Sequence, residues 1–204
     1  RTYLYINNFL KINKRLATNQ DKFLELILSL TYYLKLFSSL KRFLEYVSLV
    51  SKYLINQEFS LLIPLDEKGQ IWSENICFSE NKLKDQTIQD LQKYCKDNGL
   101  FNHFKLRNIN ILEKFLQEKF DAFNFQSHKI ISRGKCRGFF YVFYKKSDQT
   151  KFELDKNSIN ILVNLMAVGI ENYLLLKINK KHENVDREIS SGAEIQSRLL
   201  PDFC

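Results

Sequence analysis

Two prolines and six glycines in 204 residues leave this chain few places to turn sharply, so long elements and sparse loops are expected. One Trp and one Met stand against seventeen Phe and ten Tyr, so any interior must be built largely from phenyl and phenol rings. The four cysteines, Cys77, Cys95, Cys136 and Cys204, are widely separated and form no CxxC, which argues against a zinc site and a disulfide framework and fits a reducing cytoplasm. A membrane-spanning run is also missing from this reading. The stretch Phe23 to Leu34 reads as the most apolar, but it contains Glu25, is bracketed by Lys22 and Lys35, and falls short of the ~20 residues a bilayer requires. No signal peptide precedes it. The expectation is a cytoplasmic chain without a membrane span.

What the chain does have is apolar content, 45% of residues, enough for one core and too much for disorder. Its net charge of +8 is uneven: residues 1–55 hold 9 Lys/Arg against 3 Asp/Glu, and the remainder 22 against 20. A basic helical surface carrying Lys11, Lys14, Arg15, Lys41 and Arg42 could meet an acidic partner. A nucleic-acid partner is not expected, because abundant Lys, Asn, Ile, Phe and Tyr with little Ala or Gly is also what AT-rich coding DNA produces.

Along the chain the apolar period changes several times. Leu26, Leu30, Tyr33 and Phe37, then Leu40, Leu44 and Val47, follow helical three-four spacing, and Ser38-Ser39 divides them into helices of about 21–37 and 40–56. Phe59-Ser-Leu-Leu-Ile-Pro-Leu65 and Gln70 to Phe78 then read as a hairpin around Asp66-Glu-Lys-Gly69, with Pro64 placing the first strand at an edge or bulge. A helix from Asp85 to Asp97 ends at Asn98-Gly99. Another starts at Asn110, where Asn110-Ile-Leu-Glu113 has capping-box spacing. Phe123 to Ser132 and Cys136 to Tyr144 flank the turn Arg133-Gly-Lys135 as a second hairpin. Phe139, Tyr141 and Phe143 alternate with Phe140 and Val142, so both faces of that strand should be covered. Asp155 looks like the cap of a final helix running from Lys156 to about Leu200 and stopping at Pro201. This order predicts an antiparallel α+β domain. The absent initiator Met and the helix stop just before Cys204 read as a piece of a longer polypeptide.

The two opening helices leading into Phe59 to Gly69, the strand Arg137-Gly-Phe-Phe-Tyr-Val-Phe143 and the helix Leu165-Met-Ala-Val-Gly-Ile-Glu-Asn-Tyr-Leu-Leu175 together resemble a GAF domain. The resemblance implies a GAF-like central antiparallel β-sheet flanked by helices, covering residues 21–176, after an N-terminal helical extension over 1–20. It also implies a ligand pocket against one sheet face, for which Trp72, Phe78, Phe125 and Tyr141 are the candidate residues. Residues 177–204, with Ala193-Glu-Ile-Gln-Ser-Arg-Leu-Leu-Pro201, look like the linker into metal-dependent PPM-type serine phosphatases of the RsbU and SpoIIE kind. This implies a sensory, regulatory module of such a phosphatase, not itself an enzyme, acting in signal transduction through a long C-terminal signalling helix on a downstream domain of the same polypeptide. The alternative is a ligand-free interaction and dimerisation module that uses its basic N-terminal helices.

Within the final helix, Leu175, Ile178, His182, Val185, Ile189, Gly192, Gln196 and Leu199 alternate by three and four residues, and five of the eight are apolar. That is a coiled-coil seam with weak points at His182, Gly192 and Gln196, suited to a homodimer whose helices can shift. The sequence names no cofactor. No cysteine is followed by His as in bilin attachment, the Asn-Lys-x-x-x-Phe-x-x-x-Asp-Glu run of cyclic-nucleotide GAF domains is absent, and a haem would have to draw on His103, His128 or His182. No metal site is expected. Thiol chemistry would require Cys77, Cys95 and Cys136 to converge.

Overall fold

The computed structural model describes residues 39–55, 57–80, 84–147 and 156–199, together with Glu25, Leu28 and Ser29, which are helical. The expected extension over 1–20, the remainder of the 21–37 helix, the Asp155 cap and the Pro201 stop lie outside the described residues.

Helix α1, Leu40–Leu54, starts directly after Ser39 and buries Leu40, Phe43, Leu44, Val47 and Val50 on one stripe while Lys41 and Arg42 face solvent. Strand β1, Phe59–Pro64, is buried at every position, and β2 is the short Cys77–Phe78. Helix α2, Lys84–Asp97, ends at the left-handed Gly99, whose missing Cβ lets the chain reverse. After a helical turn, Leu100–His103, comes α3, Ile109–Lys119. It begins two residues earlier than the capping-box spacing implied, with Asn108 rather than Asn110 at its cap and no side-chain capping bond. Strands β3, Phe123–Ser132, and β4, Lys135–Lys145, form the long hairpin, and α4 runs from Lys156 to Leu199.

The sheet is antiparallel, ordered β2-β1-β4-β3. Its buried strand β4 presents Phe140, Val142 and Tyr144 to α1 and α4, and Phe139, Tyr141 and Phe143 to α2 and α3. The chain is thus a mixed α+β fold with helices covering both sheet faces, as the alternation in β4 required.

Pro64 is not on an edge strand, since β1 lies between β2 and β4. Its carbonyl accepts from Trp72 N at 2.9 Å on the β2 side, where the ring also points. The Trp72 carbonyl bonds Asn75 N at 3.0 Å and so asks nothing of the proline. The expected 70–78 strand is correspondingly broken: Leu65 and Ile71 form an isolated bridge, and Ser73–Asn75 is a tight 3-10 turn.

Where α1 crosses α4, Gly169 admits the Phe43 ring. A Cβ there would sit 2.7 Å from both Cδ1 and Cζ of that ring and closer still to Cε1. Alanine normally gains about 1 kcal/mol over glycine inside a helix, but overpacking a filled core costs about 1–3 kcal/mol or more. Gly169→Ala should therefore lower the stability read by urea denaturation by about 1–2 kcal/mol, and Phe43→Leu in the same chain should return part of that loss.

Candidate functional site

The clearest departure from regular structure lies where the sheet meets α4. Ile130 pairs with Gly138 and Ile131 with Cys136, leaving Arg137 as one extra residue on β4. Strict alternation would send Arg137 to the same side as Phe139, Tyr141 and Phe143. The bulge reverses this: Cys136 packs with the α2/α3 layer, and Arg137 turns to α4. There its Nε lies 2.9 Å and a terminal nitrogen 2.8 Å from Oε2 of Glu171. Both residues are only 8% exposed, making this a desolvated ion pair. Replacing such a buried pair with apolar residues of similar volume is often neutral or stabilising, so its burial is weak evidence that it stabilises the fold.

Two features hold this arrangement. Gly138 has φ 156°, and a Cβ on it would stand 2.7 Å from the Ile63 carbonyl oxygen, so only glycine lets β1 approach the bulge. The hairpin turn consists of Arg133 and Gly134, both with positive φ, 49° and 72°. A turn of this type favours Asn, Asp or Gly at its first position, and an arginine there pays a steric cost. Its guanidinium Nε stands 3.7 Å from Oε1 of Glu171 while the side chain remains 67% exposed. One carboxylate thus faces two arginines, one buried and one open to solvent.

The β1–β2 loop grips the helix a few residues on. Trp72 packs on Tyr173 with ring centroids 5.8 Å apart, Lys177 Nζ lies 5.3 Å from the Trp72 ring centroid, and the same ammonium is 3.3 Å from Glu67. The loop is itself held by Asp66, whose Oδ1 accepts from Lys68 N at 2.9 Å and from Gln70 N at 2.8 Å. Among the described side chains Leu174 is the last buried apolar residue of α4. Beyond these contacts Leu176, Ile178, Val185 and Ile189 are exposed. His182 is exposed and Leu175 half-buried, whereas the Leu199 side chain lies outside the described residues.

The four pocket candidates do not meet. Phe125 and Tyr141 pack edge-to-face at 5.7 Å, and Phe78 lies tilted against Phe59 at 5.2 Å and stacks on Phe120 at 5.9 Å, all in the layer beneath α2 and α3. Trp72 lies on the opposite side, against α4, because the 3-10 turn after it breaks the alternation that would have aligned it with Phe78. A surface groove of about 340 Å³ opens between α2 and the α3–β3 connection, lined by Gln86, Thr87 and residues 119–123, and none of the four candidates lines it.

Cys77 packs in the α1/α4 layer, across the sheet from Cys95 and Cys136, so the three thiols do not converge. Burial pushes the Cys95 thiol up to about 12; it also raises that of Cys136, partly offset by a backbone contact at Gly138 and by Lys129. Both thiols remain protonated near neutrality, the opposite of what a nucleophile needs. Burial likewise lowers the His128 pKa, and it raises that of Tyr141, with Glu113 adding in the same direction. The unfolded Cys95 thiol ionises from its ordinary 9.0 while the folded one resists up to about 12, so the unfolded state loses its proton first across that window. Stability should therefore fall as pH rises from 9 to 12, by no more than about 1.4 kcal/mol per pH unit. Denaturant midpoints across that range check this, and Cys95→Ala should flatten the slope.

The stretch Phe23 to Leu34 lies largely outside the described residues. Among the described residues one helix is long and apolar enough to cross a membrane, Lys156–Val185 of α4, whose most apolar 18-residue window has a mean hydropathy of 1.6. Its apolarity serves the core, where Ile159, Leu162, Met166, Ile170 and Leu174 cover the sheet.

Arg137 and Glu171 are not among the residues the sequence singled out. Each leaves a signal: a base at the head of an apolar run in β4, and the only acid between Ile159 and Leu176. No protein-family model matches the chain, and neither a curated protein nor a solved structure resembles it significantly.

Proposed function

We propose that this chain is a regulatory, sensory module with a GAF-like fold, which passes ligand or partner binding through α4 to a downstream domain, a PPM-type serine phosphatase of the RsbU kind in the same polypeptide. One observation carries the reading: a single 44-residue helix is core at its start, gripped at Glu171, Tyr173 and Lys177, and solvent-exposed with an apolar stripe thereafter. A helix that served only the sheet would end near Leu174. Ile178, Val185 and Ile189 favour a second copy as partner, the spacing being that of a two-stranded seam. The module itself carries out no catalysis in this reading and works in the cytoplasm. Signalling then amounts to a ligand stabilising one helix arrangement over another, on the order of 1–3 kcal/mol for ordinary coupling.

The aromatic packing of Phe59, Phe78, Phe120, Phe125, Tyr141 and Phe143 favours a second reading, in which the domain senses no small molecule and acts as an interaction and dimerisation module. Of its basic surface, Lys41 and Arg42 are exposed on α1, while Lys11, Lys14 and Arg15 lie outside the described residues. Assaying the complete polypeptide for manganese-dependent hydrolysis of a phosphoserine peptide decides between the two. Activity altered by Val185→Glu supports the regulatory reading, and a polypeptide with no metal-binding aspartate cluster after Cys204 removes it.

A further inference from the structure

We propose that the Arg137–Glu171 pair sets the rotational phase of α4, so that a change in the sheet reaches the projecting half of the helix through this contact. The proposal deepens the regulatory reading and rests on it for its purpose, but it concerns only how the sheet holds its own helix.

Apolar contacts along Ile159, Leu162, Met166 and Ile170 are non-directional and would tolerate α4 at several rotations about its axis. Two nitrogens of one planar guanidinium converging on a single carboxylate oxygen restrict where that oxygen can stand. The chain departs from regular structure three times at this spot, each time in a way that serves the pair. A bulge of one residue turns Arg137 from the α2/α3 side to the α4 side. Gly138 leaves no Cβ to obstruct β1 beside that bulge. Arg133 occupies a left-handed turn position that a smaller residue would fill at less cost, and this brings its guanidinium toward the free oxygen of the same carboxylate. Irregularities that converge on one side chain are expected where a strand must aim a group, not where it merely packs.

Trp72, the one tryptophan in the chain, rests on Tyr173 and Lys177 and so reports the position of α4 just past Glu171. The test compares Trp72 emission and acrylamide quenching in the wild type, Glu171→Gln, Arg133→Ala, the charge-swapped Arg137→Glu/Glu171→Arg, and Leu116→Ala, with far-UV dichroism checking that each is folded. Leu116 is a buried residue of α3, on the other sheet face, so its truncation lowers stability without touching the pair. The expected result is a red shift with stronger quenching in Glu171→Gln, a smaller shift in Arg133→Ala, a return toward wild type in the swap, and no shift in Leu116→Ala. Arg133→Ala alters an exposed turn residue and keeps the test open should Glu171→Gln fail to fold. An unshifted Trp72 in the folded variants overturns the proposal, as does a swap that restores nothing or an equal shift in Leu116→Ala. None of these outcomes depends on dimerisation or phosphatase activity, so this inference and the reading beneath it fail separately.

Discussion

Glu171→Leu should lower the stability of the folded chain by about 3–5 kcal/mol, among the largest effects of any single substitution in the described residues. The change leaves the Arg137 guanidinium 8% exposed with no carboxylate in reach of its Nε. Arg137→Leu should cost less, about 2–3 kcal/mol, because Arg133 already stands 3.7 Å from Oε1 of Glu171 and is free to close on the stranded carboxylate. The double substitution to Leu at both positions should come back to within about 1 kcal/mol of wild type, since it removes the need to desolvate two charges and keeps the volume. Urea denaturation of the four proteins measures the cycle. If the two single losses simply add in the double variant, the residues do not act as a pair.

Gly138→Ala is the second large effect, about 3 kcal/mol, from two sources. Its φ of 156° belongs to a region that only glycine enters cheaply, and the new methyl would meet backbone: the Ile63 carbonyl oxygen at 2.7 Å and Pro64 Cα at 3.0 Å. A flexible side chain could move aside. Paired strand backbone cannot, so β1 must separate from β4 or the bulge must close. Closing it returns Arg137 to the apolar α2/α3 side, leaving Glu171 with Arg133 alone. Thermal melting should therefore show a loss in Gly138→Ala that largely overlaps that of Arg137→Leu when the two are combined.

These effects concentrate in residues that local pattern could not find. Alternation through Phe139 to Phe143 made the hairpin and its two covered faces legible, because a period of two is a local property and both helical layers follow from it. The α2 ending at Gly99 and the α1 start after Ser39 were readable for the same reason, each residue carrying its own backbone preference. A bulge is different: Gly138 beside Arg137 is a local hint of one, but whether Arg137 pairs or is skipped depends on what β1 and α4 place beside it. Pro64 reads as an edge or a bulge, and only the edge fails: β1 is an inner strand, Pro64 pairs with Gly138 beside the bulged residue of β4, and Trp72 does not require the missing donor. Trp72 and Phe78 are both pocket candidates, and the turn at Ser73–Asn75 leaves them on opposite sides of the sheet. Of the pocket candidates, Phe78 and Tyr141 are buried in the layer under α2 and α3, Phe125 packs against that layer, and Trp72 is half-buried on the other face.

The account stands on α4 being rooted in the sheet and paired with a second copy beyond it. Sedimentation equilibrium over a hundredfold range of concentration tests this most directly, on the wild type and on Ile178→Ala with Val185→Ala. The account predicts a wild-type mass approaching twice 24.3 kDa as concentration rises, and a variant that stays near 24.3 kDa with Trp72 emission unchanged. A wild type that remains at 24.3 kDa throughout, or a dimer indifferent to both alanines, would contradict it.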